Sequence, residues 1–216
     1  MNEFLFMGCI EVKELLGLKA NDELKLLELI EEVPVDSIYY HTHGYFLRHF
    51  YIIGPYPNDF ANWAAIQVRD RVLGEKLGSI TPQPDKSLED IRFELIDIID
   101  QHLSSIKTIP FVVYGQQFYF MKSRIIKVST GITAKNLEEF VDSLRTVDAS
   151  AIYNHFFESR QRDRRGRNDF SRWIGEVLGL NELADRLESI DSYMYSLEGL
   201  RGKLLDLCSS ELVNEQ

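Results

Sequence analysis

Four blocks of sequence occur twice in this 216-residue chain, in the same order. Ser37-Ile38-Tyr39-Tyr40-His41 returns as Ala151-Ile152-Tyr153-Asn154-His155, and Asn58-Asp59-Phe60-Ala61-Asn62-Trp63 returns as Asn168-Asp169-Phe170-Ser171-Arg172-Trp173. The stretch that begins at Leu73 returns at Leu183, and the one that begins at Ser87 returns at Ser196. The separation drifts only from 114 residues (Ile38 to Ile152) to 110 (Trp63 to Trp173) and 109 (Leu88 to Leu197). A tandem repeat obliges both halves, each of roughly 100 residues, to be capable of the same local structure. Residues kept in both copies are then candidates for folding, and residues that differ are candidates for function.

Within each half the helical signals dominate. Asp22 and Asn136 are candidate N-caps, and Asn136 followed by Glu139 has the form of a capping box. Leu26, Leu27 and Ile30, matched by Phe140, Val141 and Leu144, have the spacing of one buried helical face. The Ile-Tyr-x-His blocks predict a second helix, with Ser37 and Ser150 near its start. The Asn-Asp-Phe blocks predict a third, the Leu73 and Leu183 blocks a fourth, and Ser87 and Ser196 cap a fifth. Before the first helix of each half lies an aromatic-apolar stretch, Phe4 to Met7 and Phe118 to Met121, the second continuing through Ile125, Ile126 and Val128, predicted to be extended and followed by a turn at Gly17 and Gly131. The expected fold is mainly α: helical modules at 1–105 and 118–216, an apolar connector at 106–117, and the halves packed together with pseudo-twofold symmetry.

The bulk chemistry narrows the function classes. A net charge of −10 argues against a general nucleic-acid or anionic-membrane binder, since phosphate contacts need a basic surface. Cys9 and Cys208, alone and unmatched across the repeat, form no disulfide framework. The start lacks the basic region of a signal peptide, and no apolar run has the length of a membrane span. A cytoplasmic protein is expected.

Among the kept polar residues, His41 and His155 could be ligands or general bases. They are better explained as core-edge histidines that orient the next helix by bonding to the Asn-Asp cap. Asn58, Asp59, Asn168 and Asp169 could supply paired carboxylates for acid–base chemistry, but helix capping accounts for them by itself. His41 and His43 lie two apart on a helix and point away from each other, so no metal site is expected. Phosphate-binding loops, nucleophile elbows and dinucleotide fingerprints are absent, and no cofactor is expected.

The copies disagree most between the His and Asn-Asp blocks. The first carries an aromatic-apolar segment over Tyr45–Tyr56, whereas the second carries Arg160, Arg162, Arg164, Arg165 and Arg167. Five arginines within eight residues of an acidic chain suggest a local site for an anionic small molecule or an acidic partner, against the plainer reading of a solvated helix end.

Taken together, Ser37 to His43, the doubled Asn-Asp-Phe-x-x-Trp, and Ser123-Arg124-Ile125-Ile126 before Gly131 resemble the bacterial and archaeal proteins grouped as domain of unknown function 5752. The resemblance covers nearly the whole chain. It implies a cytosolic duplicated module and names no catalytic residue. The sequence therefore predicts a non-enzymatic interaction or regulatory module, with an unidentified protein or anionic small molecule as partner. The alternative is an enzyme or sensor of a small, phosphorylated metabolite, with a site between the halves.

Overall fold

The computed structural model describes residues 3–52, 54–81, 86–162 and 167–214, apart from the side chains of Gln161, Arg162 and Asn214. The chain forms two compact units. The first-half unit comprises Glu11–Arg48 and Ile53–Arg124; the second-half unit comprises Met1–Ile10, His49–Ile52 and Ile125–Gln216.

Two 17-residue strands, β1 (Phe4–Ala20) and β2 (Phe118–Ala134), form a two-stranded sheet. They run antiparallel. In the second-half unit Thr130 Oγ1 donates to the Phe6 carbonyl at 2.6 Å, and in the first-half unit Lys122 pairs with Glu14 at 3.1 Å. Each unit thus takes part of its sheet from each half of the sequence. Alternation along the strands buries Phe4 and Phe6 while exposing Leu5, and buries Phe118 and Phe120 while exposing Tyr119.

In the first-half unit the helices are α1 (Glu23–Glu32), α2 (Val35–His41), α3 (Gly44–Arg48), α4 (Asp59–Trp63), α5 (Arg71–Gly78) and α6 (Leu88–Ser105). A π-helical turn, Ala64–Val68, extends α4. Asp22, Asn58 and Ser87 start α1, α4 and α6 by accepting the backbone N–H of Lys25, Ala61 and Asp90, which satisfies amides that have no partner within the helix. Leu26, Ile30, Ile38, Phe60, Leu73, Leu77, Ile91, Leu95 and Ile99 close around Phe118 and Phe120 as the core.

The second-half unit carries α7 (Leu137–Thr146), α8 (Ala149–Ile152), α9 (Ser159–Arg162), α10 (Asp169–Glu176), α11 (Asn181–Glu188) and α12 (Leu197–Asn214), with π-helical Tyr153–Glu158 joining α8 to α9. Its core is aromatic. Phe4 lies within 6 Å of the rings of Phe140, His155, Phe170 and Trp173. The strand residues at the centre of this unit come from the opposite end of the chain to its helices.

The protein is therefore mixed α/β, and the mainly α, repeat-symmetric architecture expected from the sequence is incorrect. Residues 11–20 are rich in Glu, Lys and Leu, which favour helix intrinsically, and pairing with a strand distant in sequence overrides that preference. Gly17 and Gly131, expected to form turns, lie inside the strands at φ of 74° and 73°. Without a Cβ they take this left-handed conformation at no steric cost, and the strands continue through them. Among the described residues, no helix is long and apolar enough to cross a membrane.

Candidate functional site

In the first-half unit, α2 and α4 bring His41 and Asp59 together, with His41 Nδ1 2.9 Å from Asp59 Oδ2. On its other side, His41 Nε2 accepts the backbone N–H of Met121 on β2 at 3.1 Å. The network places the proton on Nδ1, donated to Asp59, and commits both ring nitrogens. Burial holds the imidazole below the usual histidine range, only partly offset by the Asp59 carboxylate. The same Asp59 oxygen receives Arg48 Nη2 at 2.7 Å; Arg48 also meets Glu11 at 3.3 Å and lies 3.7 Å over the Tyr40 ring.

The second-half unit repeats the arrangement. His155 Nδ1 is 2.9 Å from Asp169 Oδ2, and its Nε2 accepts the Met7 N–H of β1 at 2.8 Å. In both units the Asp is the first helical residue, and the preceding Asn is the cap. Asn58 and Asn168 accept the N–H of Ala61 and Ser171 at 2.8 Å, and both asparagines are fully buried. Each His–Asp pair thus ties a helix start to a strand amide. Each pair belongs to its own unit.

Beside His41 lies a pocket of about 370 Å³, walled by Tyr40, Arg48, Asp59, Trp63, Gln67 and Gln116, with Asn62, Ile66, Gln117, Phe118, Tyr119 and Met121 completing it. The π-helical turn places Gln67 on this wall, where its side-chain Oε1 accepts the Gln116 backbone N–H at 2.8 Å. Trp63 Nε1 donates to the Gln116 carbonyl at 2.8 Å, pinning the connector residues as a rim. Arg48 is neutralised by two carboxylates, so the pocket presents amides and aromatic faces rather than a net positive charge. A second pocket in this unit, of about 610 Å³, is lined by Pro55, Tyr56, Ala65, Ile66, Arg69, Arg71 and Glu75.

The arginine-rich segment fares differently residue by residue. Arg164 and Arg165 lie outside the described residues, as does the Arg162 side chain. Arg160 is built into the fold: Nη2 donates to the Glu188 carbonyl at 2.8 Å and pairs with its carboxylate at 3.3 Å, and the guanidinium sits 4.5 Å over Phe156. Arg167 is exposed. In the aromatic segment Tyr45, Phe46 and Leu47 are buried, whereas Tyr51 and Ile52 are exposed. The sequence reading missed Gln67, Gln116 and Gln117 as pocket residues and gave Arg48, inside the Tyr45–Tyr56 segment, no role of its own. Their amides and guanidinium carry no spacing pattern, and only the π-turn and the path of the connector bring them together.

A solved structure, that of OrfY from Thermoproteus tenax, is similar, with a TM-score of 0.76 and 26% identity over 97% of this chain and 95% of that one. No curated protein matches the sequence. The profile of a family of unknown function, DUF5752, matches residues 1–209. That match takes in nearly the whole chain, which therefore belongs to this family of unknown function.

Proposed function

We propose that this protein is a non-enzymatic, cytoplasmic binding module of two diverged sequence copies, and that the pocket beside His41 is its ligand site. The observation that carries this reading is the commitment of both His41 nitrogens, to Asp59 and to the Met121 amide. The imidazole at the pocket has no lone pair to offer a substrate proton, and its carboxylate partner is held by Arg48. What remains suits recognition. The pocket volume falls within the range of small-molecule sites, about 300–1,000 Å³. Its Gln67, Gln116 and Gln117 wall beside Trp63 and Tyr119 fits a small uncharged molecule with an amide-like or heterocyclic hydrogen-bonding edge. A phosphorylated metabolite fits this pocket less well, because Arg48 already faces Asp59 and Glu11.

The test uses the Trp173→Phe protein, in which Trp63 alone reports by fluorescence. It is titrated with uncharged nucleobases and nucleosides and, in parallel, with their phosphate esters. Saturable quenching by an uncharged compound, lost in Gln67→Ala, supports the reading. Preferential binding of the esters overturns the ligand class, and conversion of a bound compound, seen by mass spectrometry, overturns the non-enzymatic role.

A further inference from the structure

Apart from the pocket, the first-half unit brings together a second group of polar side chains: buried Glu23 at the start of α1, half-buried Asp70 just before α5, and buried His102 near the end of α6. Glu23 is fully buried, and neither of its carboxylate oxygens makes a hydrogen bond among the described residues. His102 Nδ1 also lacks a hydrogen-bond partner there. His102 Nε2 stands 2.8 Å from Asp70 Oδ2 and 3.7 Å from Glu23 Oε2. One ligand atom from each of the three residues lies within 4.8 Å of the others.

An acidic residue in such a place needs a compensating partner, since an unpaired buried carboxylate is among the costliest groups a protein can hold. Burial, then the nearby Asp70 and Asp22 carboxylates, push Glu23 up to about 8. A proton alone does not complete the site: the resulting O–H still needs an acceptor, and the other oxygen still needs a donor.

The fold itself does not demand these residues. Carrying the spacing of the repeated blocks across, Glu23 corresponds to Leu137, Asp70 to Leu180 and His102 to Glu211. Leu137 opens α7 as Glu23 opens α1, and Leu180 precedes α11 as Asp70 precedes α5. Glu211 pairs instead with Arg186 on α11. A leucine serves the helix start in one unit, so the buried carboxylate in the other calls for a different explanation.

We propose that Glu23, Asp70 and His102 bind one divalent cation of the zinc class. A mixed imidazole–carboxylate set suits such an ion, and bonds of about 2.0–2.2 Å in a tetrahedron put neighbouring ligand atoms roughly 3.3 Å apart. The separations here bracket that value, so small side-chain rotations close the site. Asp70 already has its other oxygen fixed by the Leu73 N–H at 2.9 Å, which orients it as a ligand. Its side chain is 13% exposed and marks the way in, leaving the fourth position to water. The site is separate from the pocket beside His41 and does not depend on the reading of that pocket.

The test is uptake of zinc and cobalt by the full-length chain after chelator dialysis, followed by calorimetry, elemental analysis and the visible absorption of cobalt. One equivalent of metal, a four-coordinate cobalt spectrum and a metal-dependent rise in melting temperature are expected. Glu23→Leu, which installs the residue found at the corresponding position of the other copy, should weaken binding by more than the roughly 10–100-fold typical of a supporting residue. If that variant is poorly folded, His102→Gln serves the same purpose. Failure of the wild-type chain to take up stoichiometric metal overturns the proposal, as does undiminished binding by a folded variant. Loss of a metal-independent titration near pH 8 as the only effect of Glu23→Leu would identify a buried protonated acid instead, and likewise overturns it.

Discussion

His155 accepts the backbone N–H of Met7 on Nε2 at 2.8 Å while its Nδ1 faces Asp169 at 2.9 Å, so one imidazole joins a strand to a helix start. His155→Ala removes the partner of a strand amide and of a carboxylate together. A loss of about 1–3 kcal/mol per stranded group is expected, read from the urea midpoint. An unchanged midpoint would show that the hydrogen bonds contribute nothing to folding.

Phe4 packs against Phe140, Phe170 and Trp173, although it lies at the other end of the sequence. Phe4→Ala should cost about 3–5 kcal/mol. Hydrogen exchange should localise the loss to α7 and α10, with α1 and α6 keeping their protection. Loss confined to α1 and α6 would contradict the placement of the strand.

His43 is buried, and burial lowers its pKa to about 3. The folded value lies below the unfolded one, so this residue's contribution to stability is present above about pH 6.5 and lost as pH falls towards 3. The slope from this group approaches about 1.4 kcal/mol per pH unit within that window. His43→Phe, the residue that the second copy carries as Phe157, should flatten acid denaturation there. An unaltered acid limb would refute the assignment.

Arg69 holds a left-handed backbone at φ 68°, where the corresponding position of the other copy has Gly179 at φ 76°. An L-residue is strained in this conformation by about 1–2 kcal/mol, and glycine gives back part of the relief through its freer unfolded chain. Arg69→Gly should therefore raise stability by up to about 1 kcal/mol. A lower urea midpoint would mean that the Arg69 side chain contributes more than its backbone costs.

Much of the helical framework was legible in the sequence because capping chemistry is local. Asp22, Asn136 and Ser87 cap where their types and spacing predicted. Trp63 and Trp173, four residues past Asp59 and Asp169, recur in the repeated blocks, and both are buried. The second strand was legible well past its aromatic start, through β-branched Ile125, Ile126 and Val128, whereas the first was legible only at Phe4 to Met7, since the Glu, Lys and Leu of residues 11–20 carry no strand signal and pair with a distant segment. The pocket wall was not legible, because Gln67 and Gln116 meet only through the π-turn and the connector. Glu23 and Asp70 left a fainter trace, a charged residue in one copy where the other has leucine.

On the reading proposed here, His41 beside the pocket is a structural tie whose two ring nitrogens are both committed. Long-range proton–nitrogen NMR of the His41 ring reports that state. The hydrogen bonds to Asp59 and Met121 predict a neutral ring with the proton on Nδ1, and a protonation midpoint below the ordinary histidine range. A ring protonated on Nε2, or one that titrates at the usual histidine pKa of about 6.5, would contradict it.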